Sequence, residues 1–241
     1  DYVWDTAPGT ERLLSVTVEG WSKTASTYAA QNLLASEAVT DLSRGVNQTL
    51  ATTYARTLYG NGLVHTLTVT SPSGINAEVV TYDTLGRVSA VANGLGQATT
   101  YSNYNALGKP GTVVGPNGDT TDYTYDARGR IASIVRHPNG VAATWTYAYD
   151  GFGLPAGETD PDGKVATWHR DTTTARMATI VRNDKDGTST EGFGYDANGD
   201  VTSHTVSRNG TTSLSETISY DELGRIHQRL GMHGQQLTYG Y

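Results

Sequence analysis

Tyr82-Asp83-Thr84-Leu85-Gly86-Arg87-Val88 returns as Tyr125-Asp126-Ala127-Arg128-Gly129-Arg130-Ile131 and again as Tyr220-Asp221-Glu222-Leu223-Gly224-Arg225-Ile226. Looser copies start at Tyr104, Tyr149 and Tyr195, so that counting from Tyr82 the intervals are 22, 21, 24, 46 and 25 residues. The long interval reads as two repeats with one worn copy between them, at Trp168. A period in this range marks a repeat architecture, in which each unit buries its apolar face only against its neighbours.

Each copy reads as a hairpin unit. A strand ends on the tyrosine, with another apolar or aromatic residue two positions earlier: Tyr123 before Tyr125, Tyr147 before Tyr149, Phe193 before Tyr195, Ile218 before Tyr220. That period of two puts both side chains on one face. Asp83, Asp126, Asp150, Asp196 and Asp221 then open a turn, because Asp bonds its side chain to backbone two residues on. Gly86, Gly108, Gly129, Gly153, Gly199 and Gly224 stand where a positive φ is expected. Arg87, Arg130 or Arg225 leaves the turn, and an aliphatic residue starts the next strand. A second turn follows half a period later at Pro116-Asn117-Gly118, Pro138-Asn139-Gly140, Pro161-Asp162-Gly163, Asp186-Gly187 or Asn209-Gly210, and such Asn-Gly and Asp-Gly steps are strong hairpin signals. Gly and Pro recur too often for a long helix.

The template also reads backward along the chain. Tyr28 to Leu34 is a worn copy with Asn32 in place of the turn glycine, Asn being the next residue to tolerate a left-handed backbone. Glu19-Gly20, Gly45 and Pro72-Ser73-Gly74 stand eight or nine residues before Tyr28, Tyr54 and Tyr82. A rival reading makes Ala25–Val39 a short amphipathic helix. The expected organisation is residues 1–20 as an N-terminal strand, cap or incomplete repeat, with a strand at Leu13–Val18. Residues 21–81 follow as degenerate repeats, and residues 82–241 as about seven repeats, the last truncated.

Bulk composition narrows the classes. Hydrophobic content of 37% and charged content of 17% are low for a globular chain, while tyrosine outnumbers phenylalanine 15 to 2. Large rings with a polar tip suit strands whose faces are only partly dry. A net charge of −7 argues against nucleic acid, whose phosphates need clustered Lys and Arg. No run of residues is apolar enough for a membrane span. The absence of cysteine removes a disulfide framework and Cys-based zinc sites without deciding the compartment. The chain begins without methionine and ends inside another copy of the phrase, so it is expected to be a piece of something larger.

The phrase YDxxGR plus an aliphatic residue, recurring at this spacing, resembles the YD repeat of the Rhs family, which includes bacterial Rhs and other polymorphic toxins, the C component of Tc toxins, and the animal teneurins. The resemblance covers residues 20–241 and is strongest at Tyr82, Tyr125 and Tyr220. It implies an all-β fold of tandem antiparallel β-hairpin repeats, ~21–28 residues each, forming a continuous sheet that spirals into a shell. In toxin members the shell encloses a C-terminal effector domain. In teneurins a similar barrel supports adhesion. The toxin core sequence centred on DPxGLxGG is not present; Asp160-Pro161-Asp162-Gly163 is followed by Lys164-Val165 and reads as a hairpin turn.

Catalytic patterns find no foothold: there is no GxSxG, no HExxH and no phosphate loop opening a helix. The histidines at 65, 137, 169, 204, 227 and 233 never pair at i, i+2 or i+4 spacing, so no metal site is expected. Arg182–Phe193 partly imitates a calcium loop but lacks both end ligands. Paired carboxylates at Asp160/Asp162 and Asp184/Asp186 might suggest glycosidase chemistry, but beside Pro and Gly they read as turn formers. The rings of Tyr123, Tyr125, Trp145, Tyr147, Tyr149, Trp168, Phe193 and Tyr195 form either a sugar platform or, as preferred, a packing spine in which the ring of one repeat stacks on the next. Asn47-Gln48-Thr49 and Asn209-Gly210-Thr211 are glycosylation sequons, accidental in a bacterial chain.

The expected function is a non-catalytic, cofactor-free segment of a bacterial, secreted or cell-surface shell. Its partners are the remaining repeats of the same polypeptide or neighbouring subunits, with an enclosed effector. An adhesion, sheath or filament protein and a glycan-binding surface stand as alternatives.

Overall fold

The structure, a computed structural model, describes residues 1–6, 11–29, 32–43, 48–73 and 77–241. Gly45, Asn47 and Gly74, read above as turn or sequon residues, lie outside the described residues. Contacts group the chain into Asp1–Thr121 and Asp122–Tyr241.

The first unit holds β1 (Tyr2–Trp4), β2 (Leu13–Val18), β3 (Ser22–Tyr28), β4 (Leu34–Asp41), β5 (Thr49–Leu58), β6 (Val64–Thr70), β7 (Ala77–Tyr82), β8 (Val88–Ala92), β9 (Ala98–Ser102) and β10 (Thr112–Val114). Each strand pairs antiparallel with the next in chain order. β11 (Thr120–Tyr125) runs across the division. The second unit continues with β12 (Ile131–Arg136), β13 (Ala143–Tyr149), β14 (Pro155–Thr159), β15 (Val165–Arg170), β16 (Met177–Asp184), β17 (Gly187–Tyr195), β18 (Val201–Arg208), β19 (Thr211–Tyr220), β20 (Ile226–Gly231) and β21 (Gln236–Thr238). From β12 onward the pairing is again antiparallel between chain neighbours. The all-β hairpin fold expected from the repeats is what forms. The helix considered for Ala25–Val39 is replaced by β3, β4 and a turn in which Asn32 takes φ 60°.

The turns at Asp83, Asp126 and Asp221 share one construction. Asp83 N–H donates to the Arg87 carbonyl at 2.7 Å and Gly86 N–H to the Asp83 carbonyl at 2.9 Å. The Asp83 carboxylate accepts from the N–H groups of Leu85 and Arg87, both at 2.9 Å. Five residues are thus closed by two backbone bonds and two side-chain bonds, with Gly86 at φ 78° in the left-handed place that a three-residue hairpin with a bulge requires. Asn105 builds the same pair of side-chain bonds with neutral chemistry.

The second turns differ from the tight Asn-Gly form expected. Gly115–Asp119 and Asp160–Lys164 are the same five-residue turn, closed by Gly115 N–H to Asp119 carbonyl and Asp160 N–H to Lys164 carbonyl, both 2.9 Å. Asn117 and Asp162 occupy the third place and Gly the fourth. The two-residue form occurs at Asn209-Gly210, where φ is 49° and 81° and Arg208 pairs directly with Thr211. Pro138–Gly140 is a single 3-10 turn. The tyrosine-side edge carries a recurrent β-bulge, with register shifts at Thr27/Tyr28, Thr57/Leu58, Thr81/Tyr82, Ala148/Tyr149, His169/Arg170, Gly194/Tyr195 and Ser219/Tyr220 entering its turns, while on the other edge Val206/Ser207 shifts before the Asn209-Gly210 turn. A bulge bends its strand and strengthens local twist.

Burial is shallow. Among the described residues the buried hydrophobic side chain is Ile218, at 8% exposure. Alternation is nevertheless clear. On β13, Trp145, Tyr147 and Tyr149 are half-covered while Thr144, Thr146 and Ala148 are exposed. On β5, Tyr54 and Arg56 are half-covered while Thr53, Ala55 and Thr57 are exposed. Large side chains shelter one another on one face, and no second layer is needed to explain it. Gly86→Ala is expected to cost about 1–2 kcal/mol in urea denaturation because its φ is positive. Gly151→Ala, with open space around it and no positive φ, is expected to change stability by less than about 0.5 kcal/mol.

Candidate functional site

Among the described residues burial is shallow, and the recurring contacts lie where one repeat meets the next. Arg87 Nε donates to Asp83 Oδ2 at 2.7 Å, Arg130 Nε to Asp126 Oδ2 at 2.7 Å and Arg225 Nε to Asp221 Oδ2 at 2.8 Å. The other side of each guanidinium lies over the tyrosine of the following repeat: Arg87 over Tyr104 at 4.7 Å, Arg130 over Tyr149 at 4.1 Å, Arg225 over Tyr241 at 4.3 Å. The tyrosine hydroxyl then donates to the carbonyl of the residue just after that arginine. Tyr104 meets Val88, Tyr149 meets Ile131 at 2.9 Å, and Tyr241 meets Ile226 at 3.2 Å. Tyr220 makes the same bond to Val201 at 2.8 Å although its preceding turn ends on Asp200. The rings of Tyr104, Tyr149 and Tyr241 therefore stack on guanidinium, where the ring of a neighbouring repeat was expected; Tyr123 and Tyr125, both on β11, stack on each other at 6.5 Å. The planar cation meets both the carboxylate and the π-face, which a lysine ammonium does less well.

Electrostatics follow from these contacts. The Arg87, Arg130 and Arg225 backbone N–H groups hold the carboxyls of Asp83, Asp126 and Asp221 below the usual range, with the guanidinium adding to the effect. Burial pushes the Tyr104 and Tyr220 phenols up. Arg130 Nη1 is buried without a hydrogen-bond partner, and the Tyr149 ring beside it supplies the electron-rich surface it lacks. A Cβ on Gly153 would stand 3.4 Å from that nitrogen and 3.8 Å from Arg128 Nη1, and φ there is +88°. Glycine serves both the turn and the stack.

The worn copies keep the link by exchanging its parts. Trp168 lies inside β15, and Arg170 occupies the place after the bulge that tyrosine takes elsewhere. The preceding turn ends on Leu154, so Asp150 has no arginine of its own turn. Arg170 Nη1 reaches Asp150 Oδ2 at 3.1 Å and the Pro155 carbonyl at 2.5 Å, replacing both the missing arginine and the missing hydroxyl. Tyr54 likewise sits within β5, and Leu58 precedes a turn at Tyr59–Leu63. At the N-terminus, where the sequence showed no unit, Arg12 pairs with Asp5 at 2.6 Å and lies over Tyr28 at 5.4 Å, and Tyr28 donates to the Leu13 carbonyl at 2.9 Å. The strand at Leu13–Val18 was expected and forms, but Asp5 and Arg12 escaped the reading because their sequence spacing is not that of YDxxGR. The available signal was an Arg–aliphatic step followed by tyrosine 15 to 18 residues after the aliphatic residue, as in the other arginine-bearing links.

Other candidates fall into turns or strand faces. Asp160 accepts the N–H groups of Asp162 and Lys164 at 2.9 and 2.8 Å. Asp184 pairs with Arg208 at 3.0 Å, and the imitation calcium loop lies on the β16–β17 hairpin. Asn209 is engaged, its Oδ1 accepting from Thr188 N–H at 2.8 Å. Among the described residues no group of three His, Asp or Glu is placed to hold a metal, and no helix is long and apolar enough to cross a membrane.

Residues 104–142, containing the Tyr104 and Tyr125 turns, match the sequence profile of the family described as RHS Repeat. No curated protein matches the chain in sequence. Among solved structures, the chain is similar to a chain in the crystal structure of TcdB2-TccC3-Cdc42, with TM-score 0.66 and 14% identity over 91% of its length. It is also similar to the Tc holotoxin pore of Photorhabdus luminescens carrying a TccC3 mutation, at TM-score 0.59 and 14% identity over 91%. It spans 12% of each of those chains. These likenesses concern the fold.

Two outcomes are expected of the link. Tyr149→Phe should cost about 1 kcal/mol, and Arg130→Ala combined with Tyr149→Leu should show a coupling of about 0.5–1 kcal/mol in urea denaturation; strict additivity would refute the stack. The depressed Asp carboxyls contribute stability that is present above the unfolded carboxylate range, near about pH 4, and is lost as pH falls through their lower folded values. The triple variant Asp83→Asn, Asp126→Asn, Asp221→Asn, imitating Asn105, should flatten the loss of stability between about pH 5 and about pH 2, followed by circular dichroism.

Proposed function

We propose that this chain is a non-catalytic wall: a segment of a larger β-shell whose repeats enclose or present a C-terminal effector. The observation that carries this reading is the Asp–Arg–Tyr link. The arginines and tyrosines that recur with the repeat spend their polar groups on the adjoining repeat, and the same contacts account for their spacing without a substrate. The repeat anchors named from sequence, including Tyr82, Asp83, Gly86, Arg87, Tyr125, Asp126, Gly129 and Arg130, act in this reading as joints. Bulges recur on the tyrosine-side edge far more than on the other, where Val206/Ser207 carries one, and that bias supports curvature of one sense, since each adds twist at the same place in the hairpin. The similarity to chains of the TcdB2-TccC3 structures supports a shell belonging to a secreted or surface-exposed bacterial protein, with the remaining repeats of its own polypeptide as first partners.

A second reading, association into a sheath or fibre, is favoured by a different observation. The third turn residue is a projecting leucine at Leu85, Leu107 and Leu223, exposed to 70%, 60% and 76%. Repeated apolar tips are what an association surface needs. Electron microscopy of the full-length gene product separates the two. A closed hollow particle is expected, and a filament would move the assignment to the second reading. A solid particle would sink both.

A further inference from the structure

One cluster in the second unit is unlike the repeating link and is not explained by it. Strands β16 to β20 carry on one face Arg182, Glu191, His204, Glu216 and Arg229; His204 stands directly opposite Glu216, and the other neighbours meet on diagonals two residues out of register. His204 Nε2 stands 2.8 Å from Glu191 Oε1, and its Nδ1 stands 3.5 Å from Glu216 Oε1. Directly opposite on β17, the Phe193 ring lies parallel to the imidazole, centroids 5.1 Å apart at 11°. Arg182 reaches the far oxygen of Glu191 at 3.4 Å, and Arg229 the far oxygen of Glu216 at 3.7 Å. The His204, Glu191 and Glu216 side chains are only 20–25% exposed.

We propose that His204, held between Glu191 and Glu216, is a proton-operated clasp across β17, β18 and β19 that tightens the second unit as the surroundings acidify. A neutral imidazole has one N–H and one lone pair. Donating through Nε2 to Glu191, it turns the bare Nδ1 toward a second carboxylate, acceptor against acceptor. The imidazolium donates to both, and its positive charge also lies on the Phe193 face. Every group packed around the ring on β17 and β19 therefore discriminates in the same direction. The two outer arginines on β16 and β20 oppose it only from behind the carboxylates. Imidazole is the side chain whose charge changes between about pH 5 and 8. A proton taken up into contacts that the unfolded chain lacks stabilises the fold as pH falls through that range. The sign is opposite to that of the turn aspartates, which lose their contribution in stronger acid.

Thermal unfolding of the 241-residue chain at fixed ionic strength, compared at about pH 7.5 and about pH 5.5, tests the clasp. On acidification the wild type should gain about 2 °C relative to His204→Gln, the other histidines being common to both chains. Glu216→Gln should keep only part of that gain, because Glu191 still holds one N–H. Equal pH shifts in wild type and His204→Gln would overturn the proposal. Nitrogen-15 shifts of the wild-type imidazole provide an independent reading should His204→Gln not fold. Nδ1 should pass from bare nitrogen to N–H between the two conditions, and an Nδ1 still bare at the lower pH would also overturn it.

Discussion

The arginine that closes the turns at Asp83, Asp126 and Asp221 has two partners, and the structure depends on its meeting both. One edge of the guanidinium is fixed by the carboxylate that shaped the turn, and its face receives the tyrosine of the next repeat. Within each unit the substantial strand contacts join chain neighbours alone, so cohesion has to be transmitted one repeat at a time. A hydrophobic interior gathers many residues at once. Here the equivalent is a series of identical handovers, each coupling turn geometry to lateral packing, and nearest-neighbour repeat proteins are stabilised in that manner. The shallow burial is the expected companion of that arrangement.

Much of this was legible from the chain. The period, the strand ending on tyrosine, the Asp that opens the turn and the glycine with positive φ all follow from local backbone chemistry, which a sequence displays directly. Asn32 in the glycine's place at φ 60° is a clear instance. Three things were not legible. The partner of each ring lies 16 to 19 residues earlier, as with Arg225 and Tyr241 or Arg130 and Tyr149, and only strand register brings them together. The second turns were read by their Asn-Gly pairs, whereas at Gly115–Asp119 the loop length is set by the closing pair outside them. Trp168 drew attention through its size, although Arg170 carries the link; an arginine standing in for both a tyrosine and another arginine has no signature in one sequence.

That exchange also shows what the repeat conserves physically. At Asp150 the carboxylate, a cation and a bond to the first carbonyl of the following strand are all present, yet the cation comes from the opposite partner. Contact chemistry is maintained while residue identity moves. The motif is one solution to a joint, and the joint is the unit that the structure repeats.

The link has a polarity with a bearing on how the protein is made. Asp83, Arg87 and Val88 all precede Tyr104, and Asp126, Arg130 and Ile131 all precede Tyr149. A ribosome therefore completes the receiving surface before it adds the ring that fills it. Because chains emerge N-terminus first at roughly 5–20 residues per second, each repeat has about one to a few seconds to form its turn before its successor arrives. Growth by accretion onto a finished edge is built into the order of the residues, and the newest repeat is the one still waiting for its ring.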